Sequence, residues 1–400
     1  MHRAAAEVAT DNKRFGRANV IGVLSSMQSS AIAVRQARCA MVRNRNANCM
    51  KCAEACTSGC IYLRDGVLCV DESKCVGCGT CATVCPTCAL ESHNPSDSEL
   101  FSACKEARRG LGVVVMCHPC AKAYEGLLDE RAVAEVVCLG RVDESLICGL
   151  AAKGVREVSL VCADCERCDQ GKGRECAEMV AKSANNLLRL WRRPPVAKVT
   201  SQVPRQVLLD PASLGPGVLK KGGPARFGND PILGGQPREV APENSESARA
   251  EVLRVMKDGT LPHFVPERRE RLLDGLSSFG KPAYDNVVSR LWGCVAIDPR
   301  KCVSCRMCAT FCPTGAIAKF DADDGTFGVQ HYPGDCVKCG TCRDICPAQA
   351  ITIQPNVKTR YLFDGSVHRY EMRKRAVELN RPDQILNTMK RKIPGNIYER

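Results

Sequence analysis

The sequence lacks long hydrophobic runs and is poor in aromatic residues. No stretch of 18 apolar residues occurs in its 400 residues, and a helix needs about 20 of them to cross a bilayer, so we expect no membrane span. Only seven Tyr, nine Phe and two Trp are present, which leaves few side chains on which nucleic-acid bases could stack. We therefore expect no nucleic-acid partner, although the formal net charge of +13 would suit one.

The motifs of common cofactor and catalytic sites are also missing. The sequence contains no GxGxxG, Walker A or HExxH pattern, and no pairing of a nucleophile with a base is recognisable. We therefore expect no nicotinamide, flavin or nucleotide site and assign no catalytic residue. Whether the chain is an enzyme stays open at this stage, and a non-catalytic component of an oxidoreductase complex is the interpretation we favour.

Cysteine, in contrast, is abundant, with 29 residues. The number is odd, and the cysteines form tight CxxC groups separated by long stretches without any. This distribution favours metal ligation over disulfides and is typical of a cytoplasmic protein, the location we expect. Residues 18–33 have some features of an export signal, but they are rich in serine and continue into a basic segment.

The sequence divides into six segments and predicts an α+β multidomain protein. In chain order these are a basic helical segment (1–45), a first cysteine array (46–95), a central α/β domain (108–193), a Pro/Gly-rich linker with short helices (194–292), a second cysteine array (293–354) and a basic tail (355–400). We interpret the tail as a solvated surface, with a docking arm for an acidic partner as the alternative.

Three motifs share the spacing Cys-x2-Cys-x2-Cys-x3-Cys-Pro. They consist of Cys75, Cys78, Cys81 and Cys85; Cys302, Cys305, Cys308 and Cys312; and Cys336, Cys339, Cys342 and Cys346. Three cysteines within seven residues can surround three corners of an iron–sulfur cubane, while the fourth, at the start of a helix that points away, reaches a neighbouring cluster. Zinc is the alternative, but its sites use pairs of CxxC knuckles with a longer spacer.

The motifs resemble those of bacterial ferredoxins with two [4Fe-4S] clusters, over residues 46–92 and 299–354. The resemblance implies two βαβ-type modules with two clusters each, four clusters in all. It also implies the C-terminal ligand sets, which are Cys302, Cys305, Cys308 and Cys346 for one cluster and Cys312, Cys336, Cys339 and Cys342 for the other. Four such clusters with their thiolates would carry about −8, so much of the basic charge would compensate buried anions.

The first motif of the N-terminal array departs from this pattern. In the regular motifs an aliphatic residue lies five positions after the last cysteine, and Ile61 lies five positions after Cys56. Cys56 therefore corresponds to the cysteine before proline, with Cys52 and Cys49 as the third and second ligands. The first position is then Asn46, which is a poor ligand for a cluster.

One ligand of the N-terminal module must therefore come from outside its motif. Cys39 and Cys60 are the two candidates, and we favour Cys39 because Cys60 falls where the regular motifs have alanine. Cys69, Cys88, Cys104 and Cys294 are interpreted as packing thiols without a ligand role.

The central segment alternates apolar runs with helical patterns, which predicts a parallel sheet. Three predicted strands, at 110–117, 132–138 and 156–162, end on Cys117, Cys138 and Cys162. Because the carboxyl ends of parallel strands meet at one edge of a sheet, we expect these cysteines to converge.

The central cysteine motifs CHPC, CLGRVD and VCADCERC resemble, in this order, those of the delta-type iron–sulfur subunit of methyl-viologen-reducing hydrogenases. The resemblance implies one [2Fe-2S] cluster, but a third cysteine is inserted in the last motif, which leaves the ligand set open. Our candidates are Cys120, Cys138, Cys162 and Cys168, with Cys117 and Cys165 as substitutes. Zinc is an alternative, as is a redox-active dithiol of Cys117 and Cys120 with His118 between them.

These observations predict an iron–sulfur electron-transfer subunit, a polyferredoxin of anaerobic metabolism. Its partners would be other redox subunits, such as a hydrogenase or a heterodisulfide-reductase-like enzyme, and the central domain would connect the two ferredoxin-like modules. The alternatives are a thiol- or heterodisulfide-type reductase that uses the central cysteines, and a protein that binds zinc or nucleic acid.

Overall fold

A computed structural model of the protein describes residues 31–168, 170–209 and 255–373. The N-terminal 30 residues, much of the predicted linker and the end of the basic tail lie outside these ranges. Within them the chain forms mixed α/β units with several small sheets and one larger parallel sheet.

The N-terminal module is built from two antiparallel strand pairs. Its elements are β1 (Ile32–Val34), a 3₁₀ turn (Gln36–Arg38), α1 (Ala40–Arg43), α2 (Lys51–Glu54), β2 (Ile61–Arg64), β3 (Val67–Val70), α3 (Thr80–Val84) and β4 (Leu90–Ser92). The strand β1, which precedes the cysteines, pairs with β4, which follows them. A two-residue turn joins β2 to β3, and both Asp65 and Gly66 have positive φ, as this hairpin type requires.

The central domain contains a four-stranded sheet in which all neighbours are parallel. Its elements are α4 (Asp97–Glu106), β5 (Gly112–Cys117), α5 (His118–Ala123), β6 (Val133–Val136), α6 (Glu144–Ala152), β7 (Glu157–Val161), α7 (Lys172–Arg189) and β8 (Ala197–Thr200), with 3₁₀ turns at Glu130–Ala132, Leu139–Arg141, Cys165–Arg167 and Arg205–Val207. The strand order is β6-β5-β7-β8. Residues 113–117 of β5 are all buried, as expected for an inner strand covered on both faces.

Helix α8 (Glu267–Ser277) packs along α6 of the central domain. The two helices approach closely at Gly149 and Gly275, because a Cβ atom at Gly275 would lie only 3.4 Å from Cα of Gly149. Leu272 and Leu276 of α8 are buried in the same apolar core as the central sheet.

The C-terminal module repeats the strand pairing of the N-terminal one. Its elements are β9 (Asn286–Val288), β10 (Cys294–Ile297), α9 (Met307–Thr310), β11 (Ile317–Asp321), β12 (Phe327–His331), α10 (Thr341–Asp344), β13 (Ile351–Gln354), β14 (Asn356–Lys358), a 3₁₀ turn (Thr359–Leu362) and β15 (His368–Met372). The strand β10, before the cysteines, pairs with β13, after them. Strands β11, β12 and β15 form a separate antiparallel sheet.

The two cysteine-rich modules contact each other directly. Ala40 and Ala47 of the N-terminal module are buried in a small apolar cluster with Ile345 of the C-terminal module. The backbone amide of Asn48 also donates a hydrogen bond of 3.0 Å to Oδ2 of Asp344. The modules are thus neighbours in space although the central domain separates them along the chain.

Three segments differ locally from the sequence-based expectation. Where a continuous basic helix is expected before residue 45, the structure has β1, because Ile32 is needed opposite Ser92 to complete the N-terminal strand pair. Part of the predicted linker forms β8, which extends the central sheet beside β7. Part of the predicted tail forms β15, which pairs with β12. The domain boundaries themselves stay predictions.

Candidate metal centres

The loops of the three regular cysteine motifs share one backbone conformation. The second and the fourth residues after the first cysteine have positive φ in each: Gly77 and Gly79, Ser304 and Arg306, Lys338 and Gly340. Such left-handed residues in a tight loop turn backbone N–H groups toward its inside, where they favour an anionic group. The first N-terminal motif lacks this conformation, since Met50, at the fourth position, has a φ of −114°.

The ends of all four motifs are also alike. The residue three positions after the last cysteine has positive φ in every case: Gly59, Cys88, Gly315 and Gln349. The amide of the next residue donates to the cysteine sulfur at 3.2 Å from Ala89 to Cys85 and at 3.3 Å from Ala350 to Cys346, and the amide of Cys60 likewise donates to Cys56. The backbone therefore places Cys56 in the same position as the cysteines that precede proline.

The C-terminal module brings its cysteines into two neighbouring groups. Cys312 interacts electrostatically with Cys336, Cys339 and Cys342, whereas Cys308 interacts mainly with Cys305 and Cys302. Burial raises the pKa of Cys308 and of Cys336 to about 12. Because metal ligation requires thiolates, a bound cation would have to supply the charge that stabilises them.

In the N-terminal module the structure places Cys39 beside Cys49, Cys52 and Cys85. Burial and, to a lesser extent, the nearby Cys85, Cys39 and Cys49 together raise the pKa of Cys52 to about 12. This is the group in which the sequence left one ligand open. Ligation by Cys39 stays a prediction, and the geometry agrees with it.

The alternative ligand, Cys60, lies in the other N-terminal group. Its sulfur is 3.5 Å from that of Cys56, and it interacts with Cys75. Cys81 interacts with Cys78, Cys75 and Cys56, so this group contains the remaining predicted ligands and Cys60 as an additional thiol.

Six cysteines surround the carboxyl ends of the central strands. Cys117, Cys138, Cys162, Cys165 and Cys168 line one narrow cavity, and Cys120 interacts with Cys117 and Cys162 from the first turn of α5. Both predicted substitutes, Cys117 and Cys165, are therefore as close to this site as three of the four first candidates. Cys120 does not line the cavity itself.

The side chain of His118 contacts Glu135 and not the cysteine thiols next to it in the sequence. Its Nδ1 atom lies 2.6 Å from Oε1 of Glu135 on the neighbouring strand β6. The structure thus pairs this imidazole with a carboxylate, and the hypothesis that it activates Cys117 or Cys120 has no direct contact to support it.

Cysteine pairs connect these sites to one another. Cys138 of the central site interacts with Cys78, and Cys81 interacts with Cys52 within the N-terminal module. Cys49 interacts with Cys339 across the contact between the two modules. The central cysteine site thus adjoins the N-terminal module, and the N-terminal module also contacts the C-terminal one directly. That electrons cross the central domain between the two modules stays a prediction.

A cavity of about 510 Å³ lies where the N-terminal module, the central domain and α8 meet. Cys85 and Cys88 line it together with the ion pair of the partly exposed Arg290 and the buried Glu144, whose Nη2 and Oε2 atoms are 2.6 Å apart. No sequence pattern indicates this cavity, because its walls come from seven separate segments of the chain.

The donor atoms fit iron–sulfur clusters. The predicted sets consist of cysteine thiols alone, mostly buried, and thiolates are the ligands that such clusters use. In the described ranges no three His, Cys, Asp or Glu side chains form a group that could hold a single metal ion. None of the helices described is long and apolar enough to cross a membrane.

Comparison with protein families identifies two matching segments. Residues 301–350 match the family model of the 4Fe-4S dicluster domain, and residues 68–91 match that of the 4Fe-4S binding domain. The chain thus contains two ferredoxin-type 4Fe-4S domains. The first includes both C-terminal motifs, from Cys302 to Cys346, and the second includes the motif from Cys75 to Cys85.

Two curated proteins are similar to parts of the chain. An uncharacterized ferredoxin of Methanocaldococcus jannaschii is 46% identical over 43 residues, which are 11% of this chain and 28% of the ferredoxin. The formate dehydrogenase iron–sulfur subunit of Wolinella succinogenes is 47% identical over 61 residues, 13% of this chain and 30% of that subunit. The chain thus matches less than a third of either relative, and the similarity is to iron–sulfur electron-transfer proteins.

Proposed function

We propose that the protein is a polyferredoxin that relays electrons through five thiolate sites arranged in a row. The order is the central site, the Cys56/Cys75/Cys78/Cys81 site, the Cys39/Cys49/Cys52/Cys85 site, the Cys312/Cys336/Cys339/Cys342 site and the Cys302/Cys305/Cys308/Cys346 site. The observation that carries this proposal is a series of four cysteine pairs that interact between neighbouring sites: Cys138 with Cys78, Cys81 with Cys52, Cys49 with Cys339, and Cys342 with Cys308.

In this proposal the four ferredoxin-type sites hold [4Fe-4S] clusters, which accept and donate single electrons. The protein contributes thiolate ligands, inward-facing amides in the motif loops, and burial that limits the access of water. The central site would hold a [2Fe-2S] cluster, as the resemblance to the hydrogenase delta subunit implies, or zinc.

The ends of the row would face other redox subunits of a cytoplasmic complex. Cys305, in the last site, is exposed, so a partner can approach the metal there closely. The similarity to a formate dehydrogenase iron–sulfur subunit supports a place beside a catalytic oxidoreductase subunit.

Anaerobic purification with iron, sulfide and zinc analysis tests this proposal. Four cubanes would give about 16 irons and 16 sulfides per chain, with two more of each from a two-iron central cluster. EPR spectra of the partly reduced protein should show spin–spin broadening between neighbouring clusters. Zinc without sulfide in the full-length protein would overturn the proposal.

A second candidate function, thiol–disulfide reduction at the central site, has one observation in its favour. Six cysteines surround a site for which four ligands suffice, and Cys162 and Cys165 interact with each other within it. Alkylation of the anaerobic holoprotein distinguishes the two candidates. Two central thiols that are alkylated and re-form a disulfide on oxidation would support the reductase, whereas protection of all six would exclude it.

A further inference from the structure

Three arginines, the buried Arg43 and Arg269 and the partly buried Arg268, each donate a hydrogen bond to the backbone carbonyl of a predicted cluster ligand. Arg43 Nη2 lies 3.2 Å from the carbonyl oxygen of Cys312, Arg268 Nη2 lies 3.3 Å from that of Cys85, and Arg269 Nη2 lies 3.5 Å from that of Cys336. None of the three belongs to a cysteine motif. Two of them, Arg43 and Arg269, approach the same predicted cluster, the one held by Cys312, Cys336, Cys339 and Cys342.

Arg43 is a residue of the N-terminal module that enters the C-terminal one. Its side chain also donates to the carbonyl oxygens of Pro262, at 2.7 Å, and Ala37, at 3.0 Å. The residue is only 2% exposed, and its charge interacts with Cys312 and Cys339. No carboxylate is paired with it within the described residues.

Arg269 approaches the same cluster from α8. Its guanidinium stacks over the ring of Trp292 at 4.3 Å and donates to the carbonyl oxygen of Leu291. Its guanidinium keeps its positive charge at neutral pH, as arginine does in proteins. It too forms no ion pair with any described carboxylate, although Asp335 and Glu144 are close enough to interact with it.

Arg268 can be compared with Arg43 and Arg269, because a neighbouring carboxylate compensates its charge. It lies 3.4 Å from a carboxylate oxygen of the buried Asp143, and it also donates to Cys88 Sγ at 2.9 Å. A guanidinium beside a carboxylate has a weaker net field on its surroundings than a lone one. The cluster of Cys39, Cys49, Cys52 and Cys85 therefore has one compensated cation, and the neighbouring cluster has two that lack such a partner.

We propose that Arg43 and Arg269 raise the reduction potential of the Cys312/Cys336/Cys339/Cys342 cluster above those of the other three cubanes. This inference rests on the proposed function. Under it, the first electron added to the row of clusters resides on this cluster. Reduction adds one negative charge to a buried cluster, and nearby fixed cations in a medium of low dielectric stabilise the reduced state more than the oxidised one.

Neither arginine is a ligand. Both position the ligand cysteines through hydrogen bonds to their carbonyls, and their charge adjusts the reduction potential of the cluster. The remaining predicted clusters lack this arrangement in the described part of the chain. The Cys56 carbonyl is approached only by the exposed Lys172, at 3.5 Å, whose charge water screens. Arg306, beside Cys305 in sequence, is paired at 2.8 Å with both carboxylate oxygens of Asp321.

EPR-monitored redox titration of the anaerobic full-length holoprotein tests the inference. A Cys339→Ser variant identifies the signal of the cluster, since changing a ligand alters its spectrum. We expect this signal to have the highest midpoint potential of the four in the wild-type protein. Arg269→Gln and Arg43→Gln should each lower its equilibrium constant of reduction about tenfold, which is about 59 mV for one electron, while the other signals stay in place.

Two further variants separate charge from structure. Arg269→Lys keeps the positive charge but loses the forked geometry of the guanidinium. The cluster should therefore keep most of its raised midpoint potential in this variant. A purely structural role of Arg269 would predict a loss instead. Arg343→Gln is the matched control, because Arg343 adjoins Cys342 in sequence but its side chain is 56% exposed and faces Asp344. No shift is expected in this variant.

Iron and sulfide analysis of each variant separates this inference from the proposed function. Full cluster content with an unchanged midpoint potential in both Gln variants, or the highest potential at another cluster, would refute the role of the arginines and leave the relay intact. Absence of clusters from the wild-type protein would refute both. If Arg269→Gln fails to assemble, Arg43→Gln and Arg269→Lys still decide the question.

Discussion

The sulfur of Cys138 occupies the space that a side chain at position 173 would need. A Cβ atom built on Gly173 would lie 2.0 Å from Sγ of Cys138, far inside van der Waals contact. Cys138 follows β6, and Gly173 is the second residue of α7. The central cysteine site thus depends on a helix residue that carries no ligand atom.

Gly173→Ala should therefore displace Cys138 and abolish the spectroscopic signal of the central site. Alanine is favoured over glycine in helices by about 1 kcal/mol. Without a clash with Cys138, the substitution would therefore stabilise α7. We expect loss of central metal, measured by metal analysis and EPR, with the four cubanes retained. Lys182→Ala, an exposed position on the same helix, is the control, and unchanged central metal in Gly173→Ala would contradict the steric argument.

Cys39→Ala should reduce the iron content by about one cubane, while Cys60→Ala should leave it intact. The physical reason is the placement of Cys39 with Cys49, Cys52 and Cys85, and of Cys60 beside Cys56. Iron and sulfide analysis of anaerobically purified variants measures the difference. The reverse result, with iron lost only from Cys60→Ala, would show that the register assigned to the first motif is wrong.

Cys138→Ser should abolish the central signal yet leave electron transfer between the two ferredoxin-type modules at the wild-type rate. This expectation follows from the direct contact of the modules at Asn48 and Asp344. Flash reduction of one module, followed by optical or EPR detection in the other, measures the rate. Cys69→Ala, which removes a thiol outside every predicted site, is the control. A large loss of rate in Cys138→Ser alone would place the central domain within the path after all.

The stability of the C-terminal module should fall as the pH decreases from about 6.5 to 4. His331 is fully buried, where its Nδ1 donates to the carbonyl of Ala316 and its Nε2 accepts from the amide of Val295. Burial lowers its pKa to about 4, so the unfolded state binds the proton first as the pH falls, and the folded state loses up to about 3 kcal/mol of relative stability.

Denaturant unfolding at several pH values checks this dependence. The pH dependence between 6.5 and 4 should be shallower in His331→Asn, whose side chain does not titrate there, than in the wild-type protein. His93→Asn, at an exposed position, should keep the wild-type dependence. Equal slopes in His331→Asn and the wild-type protein would exclude His331 as the titrating group.

The sequence predicted the local features of the sites better than their spatial order. Motif spacing and the position of Ile61 predicted that Cys56 corresponds to the cysteines that precede proline. The left-handed conformation of Gly59 and the contact of the Cys56 sulfur with a backbone amide support this prediction. Strands that end on cysteine led to the convergence of Cys117, Cys138 and Cys162. These features depend on a few neighbouring residues, which a sequence pattern can represent.

The arrangement of the modules depends on contacts between distant segments. Arg43 reaches Cys312 over 269 positions, and Asn48 reaches Asp344 over 296. Arg268 and Arg269 lie in a strongly charged stretch that is typical of a solvated helix face, and only tertiary packing buries them. The short strand β8 also carries too little periodicity to distinguish it from the linker that follows it.

Asn48 and Asp344, which join the two modules, are 296 positions apart in the sequence. This distance has a consequence for biosynthesis. A ribosome that adds about 5 to 20 residues per second needs about 15 to 60 seconds to proceed from Asn48 to Asp344. During this time the nascent N-terminal module exposes Ala40, Ala47 and the guanidinium of Arg43, and its cysteines are accessible to the machinery that delivers iron and sulfide. Docking of the second module is thus a late step of folding, in which Ala40 and Ala47 become buried against Ile345.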